Sequence, residues 1–144
     1  MIAKINGTNF NANNPFETNM FSETNRLDYY PLEDFVMLQG RQGGAFGTPQ
    51  INIWLKKSQI AFETYTFGLE RFDTPPSHYI DLIDLTSMDY ESTKEGCITI
   101  KSVNTTTKKV VGTFQFTTVA DTFDSSAPVN YTVNNGTFNY KYDN

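Results

Sequence analysis

The chain has 144 residues, a formal net charge of −5 and 38% hydrophobic residues. That is enough for a single domain, spanning 1–144, with a core that needs neither disulfides nor metals. The acidic balance, with no basic cluster beyond Lys56-Lys57 and Lys108-Lys109, argues against a nucleic-acid partner, because phosphate binding needs concentrated positive charge.

No apolar run approaches the roughly 18 residues of a membrane helix, and no secretory leader is read at Met1. The expectation is either a cytoplasmic protein or a mature chain whose leader has been replaced by Met1. About a quarter of the residues are Asn or Thr, well above their usual share, and the strong helix formers are scarce. That bias favours an all-β protein with a polar, weakly charged surface.

The first element is a small hairpin over Ile2–Ala12. It turns on Asn6-Gly7, with Ala3 opposite Phe10 and Ile5 opposite Thr8. A long polar stretch follows from Asn13 to Leu32, holding Phe16, Phe21, Tyr29 and Tyr30 without periodicity; loops of this length are often functional. Asp34–Gln39 reads as a short buried strand. The glycine-rich Gly40–Gln50 segment resembles a phosphate loop only superficially. It runs through Pro49 into another strand, whereas a phosphate loop opens a helix.

In that next strand Ile51, Ile53 and Leu55 share one face, which puts Trp54 beside Asn52 on the other. An outward Trp54 can stack on a ligand such as a sugar ring. Burial beneath a loop, or a strand buried on both faces, is the commoner fate of such a residue. Ala61–Gly68 is another strand, Asp73–Ser77 a turn, and Tyr79–Leu85 an extended segment. Tyr90–Gly96 reads as a polar connection and Cys97–Val103 as a strand with Ile98 and Ile100 inward.

After a turn at Asn104–Lys108 the two longest strands follow. Val110, Phe114 and Phe116 alternate with Thr113, Gln115 and Thr117. Val129, Tyr131 and Val133 repeat the pattern, and Phe138, Tyr140 and Tyr142 resume it with the parity flipped. The flip at Asn134-Asn135-Gly136 fits a hairpin or a one-residue bulge; the length of the preceding strand favours the bulge. The expected fold is all-β, an antiparallel sandwich or small barrel of about eight or nine strands with one long N-terminal loop.

Residues that carry chemistry are sparse. The single His78 sits in a turn beside Ser77 and is expected in solvent. Cys97 heads a strand and reads as a small buried residue. One His and one Cys make a zinc site improbable. Asp81 and Asp84, near Asp89 and Glu91, are the densest acidic cluster. They could serve as a glycosidase pair, but a solvated acidic edge is the plainer reading. No catalytic residue, metal or cofactor is assigned. The four Asn-X-Thr triplets at Asn6, Asn104, Asn130 and Asn135 follow from composition and matter only in a eukaryotic secretory pathway.

Ala3-Lys-Ile-Asn-Gly-Thr, Gly96-Cys-Ile-Thr-Ile, Val111-Gly-Thr-Phe-Gln-Phe-Thr and Val133-Asn-Asn-Gly-Thr-Phe-Asn-Tyr-Lys-Tyr, in that order, resemble the small secreted lipoproteins of Bacteroidota grouped as a domain of unknown function. The paired Gly-Thr-Phe motifs are the most specific part. The resemblance implies an exported β-protein, lipid-anchored to the outer membrane and facing the periplasm or cell surface. It implies no catalytic residues. The departure is that such lipoproteins carry an acylated Cys at the mature start, whereas Cys97 is internal.

The functional expectation is a non-catalytic binding or interaction module of the bacterial envelope, contacting a glycan or protein partner through Trp54, Tyr29 and Tyr30. The alternatives are a structural accessory subunit of an outer-membrane complex, or a hydrolase using Asp81 and Asp84.

Overall fold

The computed structural model describes residues 1–12, 14–16, 31, 33–42, 48–69, 77–83, 90–120 and 124–141. These form ten strands and a short 3-10 turn at Lys57–Gln59. The strands are β1 (Ile2–Ile5), β2 (Thr8–Asn11), β3 (Asn14–Phe16), β4 (Phe35–Arg41), β5 (Gln50–Lys56), β6 (Thr64–Phe67), β7 (His78–Ile83), β8 (Tyr90–Asn104), β9 (Lys109–Ala120) and β10 (Thr132–Lys141). All lie in one antiparallel sheet, ordered β2-β1-β10-β9-β8-β7-β5-β4-β3, with β6 sharing an edge of β8 with β7.

The sheet curls into a half-barrel. Two contacts show the curl. The Tyr140 hydroxyl on β10 donates to the Gln39 carbonyl on β4 at 3.0 Å, and a side chain at Gly40 would strike Met1 and Ala12. Strands far apart in the sheet order therefore face each other across the interior. That interior is filled by Val36, Leu38, Ile53, Ile80, Ile98 and Phe114, among others.

The N-terminal hairpin has the expected register, Ala3 with Phe10 and Ile5 with Thr8. Positive φ at Asn6 (46°) and Gly7 (81°) makes the primed turn that matches strand twist. The polar stretch after it is not wholly a loop, since Asn14–Phe16 pairs with β4. Tyr90–Gly96 is also strand rather than connection. The Thr93 hydroxyl donates to the Ile80 carbonyl at 2.5 Å and the Glu91 carboxylate accepts from Thr118, while the Ser92 hydroxyl is buried without a partner, so polarity there does not signal solvent.

Asn134-Asn135-Gly136 is a bulge. Val133 pairs with Phe116 and Gly136 with Phe114, so β10 takes one more residue than β9. The same excess appears against β1, where Ile2 faces Thr137 and Lys4 faces Asn134. The left-handed conformation falls on Asn135, at φ 53°. The bulge restores parity, so Val133, Phe138 and Tyr140 are all buried. Tyr142 lies outside the described residues.

The two Gly-Thr-Phe motifs pair with each other. Gly112 lies opposite Phe138, Thr113 opposite Thr137, and Phe114 opposite Gly136. Each phenyl ring covers the partner glycine: a Cβ on Gly136 would come within 2.4 Å of the Phe114 ring, and one on Gly112 within 2.5 Å of the Phe138 ring. The glycines vacate the space the rings fill, which lets the sheet bend while its interior stays packed.

Candidate functional site

Two groups of side chains stand out, on opposite walls of the half-barrel. The first lies on β4, β5 and β7. Residue pairing aligns Gln39 with Asn52 and Asn52 with Asp81, and likewise Met37 with Trp54 and Trp54 with Tyr79. This face is opposite the one holding Leu38, Ile53 and Ile80, yet it is equally dry. Gln39, Trp54, Tyr79 and Asp81 are fully buried, and Arg41, Gln50 and Asn52 nearly so.

The polar groups on this face form a directed chain. The Arg41 Nε donates to Gln50 Oε1 at 2.7 Å, Gln50 Nε2 to Asn52 Oδ1 at 2.8 Å, and Asn52 Nδ2 to Asp81 Oδ1 at 2.7 Å. Two amides thus connect a guanidinium to a carboxylate with their dipoles aligned, each bond polarising the next. Trp54 Nε1 donates to Asp81 Oδ2 at 2.8 Å, and Gln39 Nε2 to Asn52 Oδ1 at 3.0 Å. Both Asp81 oxygens accept, Oδ1 from Asn52 and Oδ2 from Trp54, and that orients the amides behind them. Burial pushes the Arg41 guanidinium below its ordinary value, since desolvation penalises its charge. One acceptor, Gln39 Oε1, has no hydrogen-bond partner.

This arrangement corrects two expectations. Trp54 is not on an outward face, because its strand is buried on both sides and its indole N–H is committed to Asp81. Asp81 is not on a solvated acidic edge but deep in the sheet. The residues singled out separately for ligand stacking and for acid chemistry bond to each other. Asp84, Asp89, Tyr29 and Tyr30 lie outside the described residues.

His78 is also buried, at 2% exposure, rather than in solvent. Its register opposite Leu55 draws it into the sheet, and the Tyr65 ring lies 4.0 Å away. Nδ1 sits 2.6 Å from the Ser77 carbonyl, while Nε2 is buried without a partner. Burial pushes the imidazole below its ordinary value, against the raising effects of the Ser77 and Gln59 carbonyls and the Glu63 charge. Another buried carboxylate, Glu91, accepts from Thr118 Oγ1 at 3.0 Å and from Asn130 Nδ2 at 2.9 Å, tying the segment before β10 to β8. Among the described residues no group of three or more His, Cys, Asp or Glu comes together to hold a metal ion.

The second group is open to solvent, on the outer face of β8, β9 and β10 with β6 beside them. A row of threonines crosses it: Thr64 faces Thr99, Thr99 faces Thr113, and Thr113 faces Thr137. The next row is Thr66, Cys97 and Gln115. Two adjoining depressions of about 570 and 500 Å³ share Cys97 and Gln115 in their linings, forming one shallow trough. Each volume falls in the range of small-molecule sites.

Thr117 and Asn134 line the larger depression, and each keeps a side-chain oxygen that is buried beneath its surface without a hydrogen-bond partner. Cys97 is half-buried and free. Alternation made Thr113, Gln115 and Thr117 legible as an outward face, whereas Cys97, expected as a small buried residue, is only half-buried and lines the trough; the trough itself has no sequence signal. Set against known family models, curated proteins and solved structures, the chain matches none of them.

Proposed function

We propose that this protein is a non-catalytic binding module, exported to the bacterial envelope, that holds a ligand or partner in the trough across β8, β9 and β10. The observation that supports this reading is the trough itself: an open depression with hydroxyl and amide groups along its length. Export and a lipid anchor are supported by the ordered Gly-Thr-Phe resemblance and by the Asn- and Thr-rich surface.

Wild type and Gln115→Lys, immobilised in parallel, test the reading against solubilised envelope proteins and envelope glycans. Retention by wild type that the lysine variant loses is the expected result. Equal retention by both, or none by either, removes it.

A further inference from the structure

Resting on that reading of the trough, we infer that its ligand is a neutral, hydroxyl-rich oligosaccharide, with Gln115 at the point where two sugar units meet. Charge carries the first part of the argument. Of the described residues lining the two depressions only Glu95, in the larger, is charged; the others are threonines, amides, Cys97, glycines, Val133 and aromatic residues. Among the described residues no cation lines either depression to neutralise an anionic ligand. One carboxylate at one end does not suit a polycation.

Hydrogen-bond capacity carries the second. The threonine hydroxyls both donate and accept, and the exposed Gln115 amide offers both roles in one plane. Sugar hydroxyls have the same dual character, whereas a hydrophobic ligand would leave these groups unpaired. The glycines contribute backbone surface, because Gly96 lines one depression and Gly136 the other. Two depressions sharing Cys97 and Gln115 suit a ligand of at least two repeating units rather than one compact molecule.

The experiment is an amide-resolved NMR titration of the intact chain with neutral hexasaccharides of glucose and of mannose, alongside an anionic galacturonate hexamer and a cationic glucosamine hexamer. Saturable shifts with at least one neutral probe, centred on Thr113, Gln115, Thr117 and Thr137, are expected. Gln115→Ala should weaken that binding about tenfold, the equivalent of one good hydrogen bond, while leaving the spectrum elsewhere unchanged because Gln115 is exposed. Binding of the charged probes alone, neutral-probe shifts elsewhere on the molecule, or no shift with any neutral probe overturns the inference. If the neutral probes fail while envelope material is still retained through Gln115, the binding-module reading stands and only the ligand class is wrong.

Discussion

The outer faces of β4–β5–β7 and β8–β9–β10 belong to the same side of one sheet, yet one is dry and the other wet. Register makes them continuous, since Leu82 pairs with Glu91 and Glu91 with Ala120, which puts Ile80 on the same side as Phe114 and Phe116. On the β9–β10 wall the other side is threonine, glutamine and asparagine in contact with water. On the β4–β5–β7 wall the other side is Met37, Trp54 and Tyr79 with a hydrogen-bonded row of polar groups among them. Polar side chains thus have two roles here. On one wall they face solvent and are replaceable; on the other they satisfy one another, and removing one leaves the rest stranded.

The sharpest way to break this comparison is Asp81→Ala. It would leave Trp54 Nε1 and Asn52 Nδ2 without their acceptor and Arg41 without the carboxylate at the end of its chain. Losing one partner of a buried charge arrangement costs about 3–5 kcal/mol, read as a lowered urea midpoint. Gln115→Ala on the wet wall should stay within about 0.5 kcal/mol of wild type. If the two substitutions cost the same, the division of roles is wrong.

Smaller, but still large for a single added methyl, is the effect expected of Gly136→Ala. The Cβ would fall 2.4 Å from the Phe114 ring, and overpacking of this sort costs about 1–3 kcal/mol. Phe114→Leu in the same chain should recover part of the loss by vacating the ring's place. Gly7→Ala would meet nothing within 4 Å, so any cost there comes from its positive φ alone.

The dry wall also predicts a pH dependence. The folded state holds the His78 imidazole below the 6.5 of the unfolded chain, chiefly through burial. Below that pH the unfolded chain therefore binds more protons than the folded one. His78 contributes its full share of stability above pH 6.5, and that share is lost as pH falls from there toward the depressed folded value. One group can contribute a slope of at most about 1.4 kcal/mol per pH unit. Denaturation of wild type and His78→Gln from pH 7.5 to 5 measures it; parallel curves for the two would show that His78 does not titrate differently on folding.

The wet wall was legible in the sequence because water on one side enforces alternation. Val110, Phe114 and Phe116 on β9 and Phe138 and Tyr140 on β10 declare their inward parity, and the parity flip fits a bulge or a hairpin, between which only the length of β9 leans to the bulge found. The dry wall misled for the same reason. Asn52 and Trp54 alternate with Ile51, Ile53 and Leu55, a pattern that one wet face and a strand buried on both faces share, and the second is what forms. Burying Asn52 requires Gln39, Gln50 and Asp81 at matching heights on three strands, and register between distant strands is not written in any one of them. His78 was misplaced likewise, since its turn-like neighbours Pro76 and Ser77 say nothing of Leu55 across the ladder. The Gly-Thr-Phe motifs were visible as motifs, but the reason for the repeat, each ring covering the other's glycine, needs the pairing.

The smallest of these effects separates two readings of the bulge that the Asn-Gly dipeptide leaves open. Gly is the usual occupant of a left-handed bulge position, yet here Asn135 adopts φ 53° and Gly136 serves as the empty place beneath Phe114. Asn tolerates that conformation better than other side chains. Asn135→Gly should therefore be nearly neutral, while Asn135→Ala should cost about 1 kcal/mol by urea denaturation. Asn135 is exposed, so neither substitution disturbs packing, and the difference between them isolates the backbone. Equal stability of the two variants would move the strained residue elsewhere in the bulge, and with it the explanation of why β10 keeps Phe138 and Val133 on the same face.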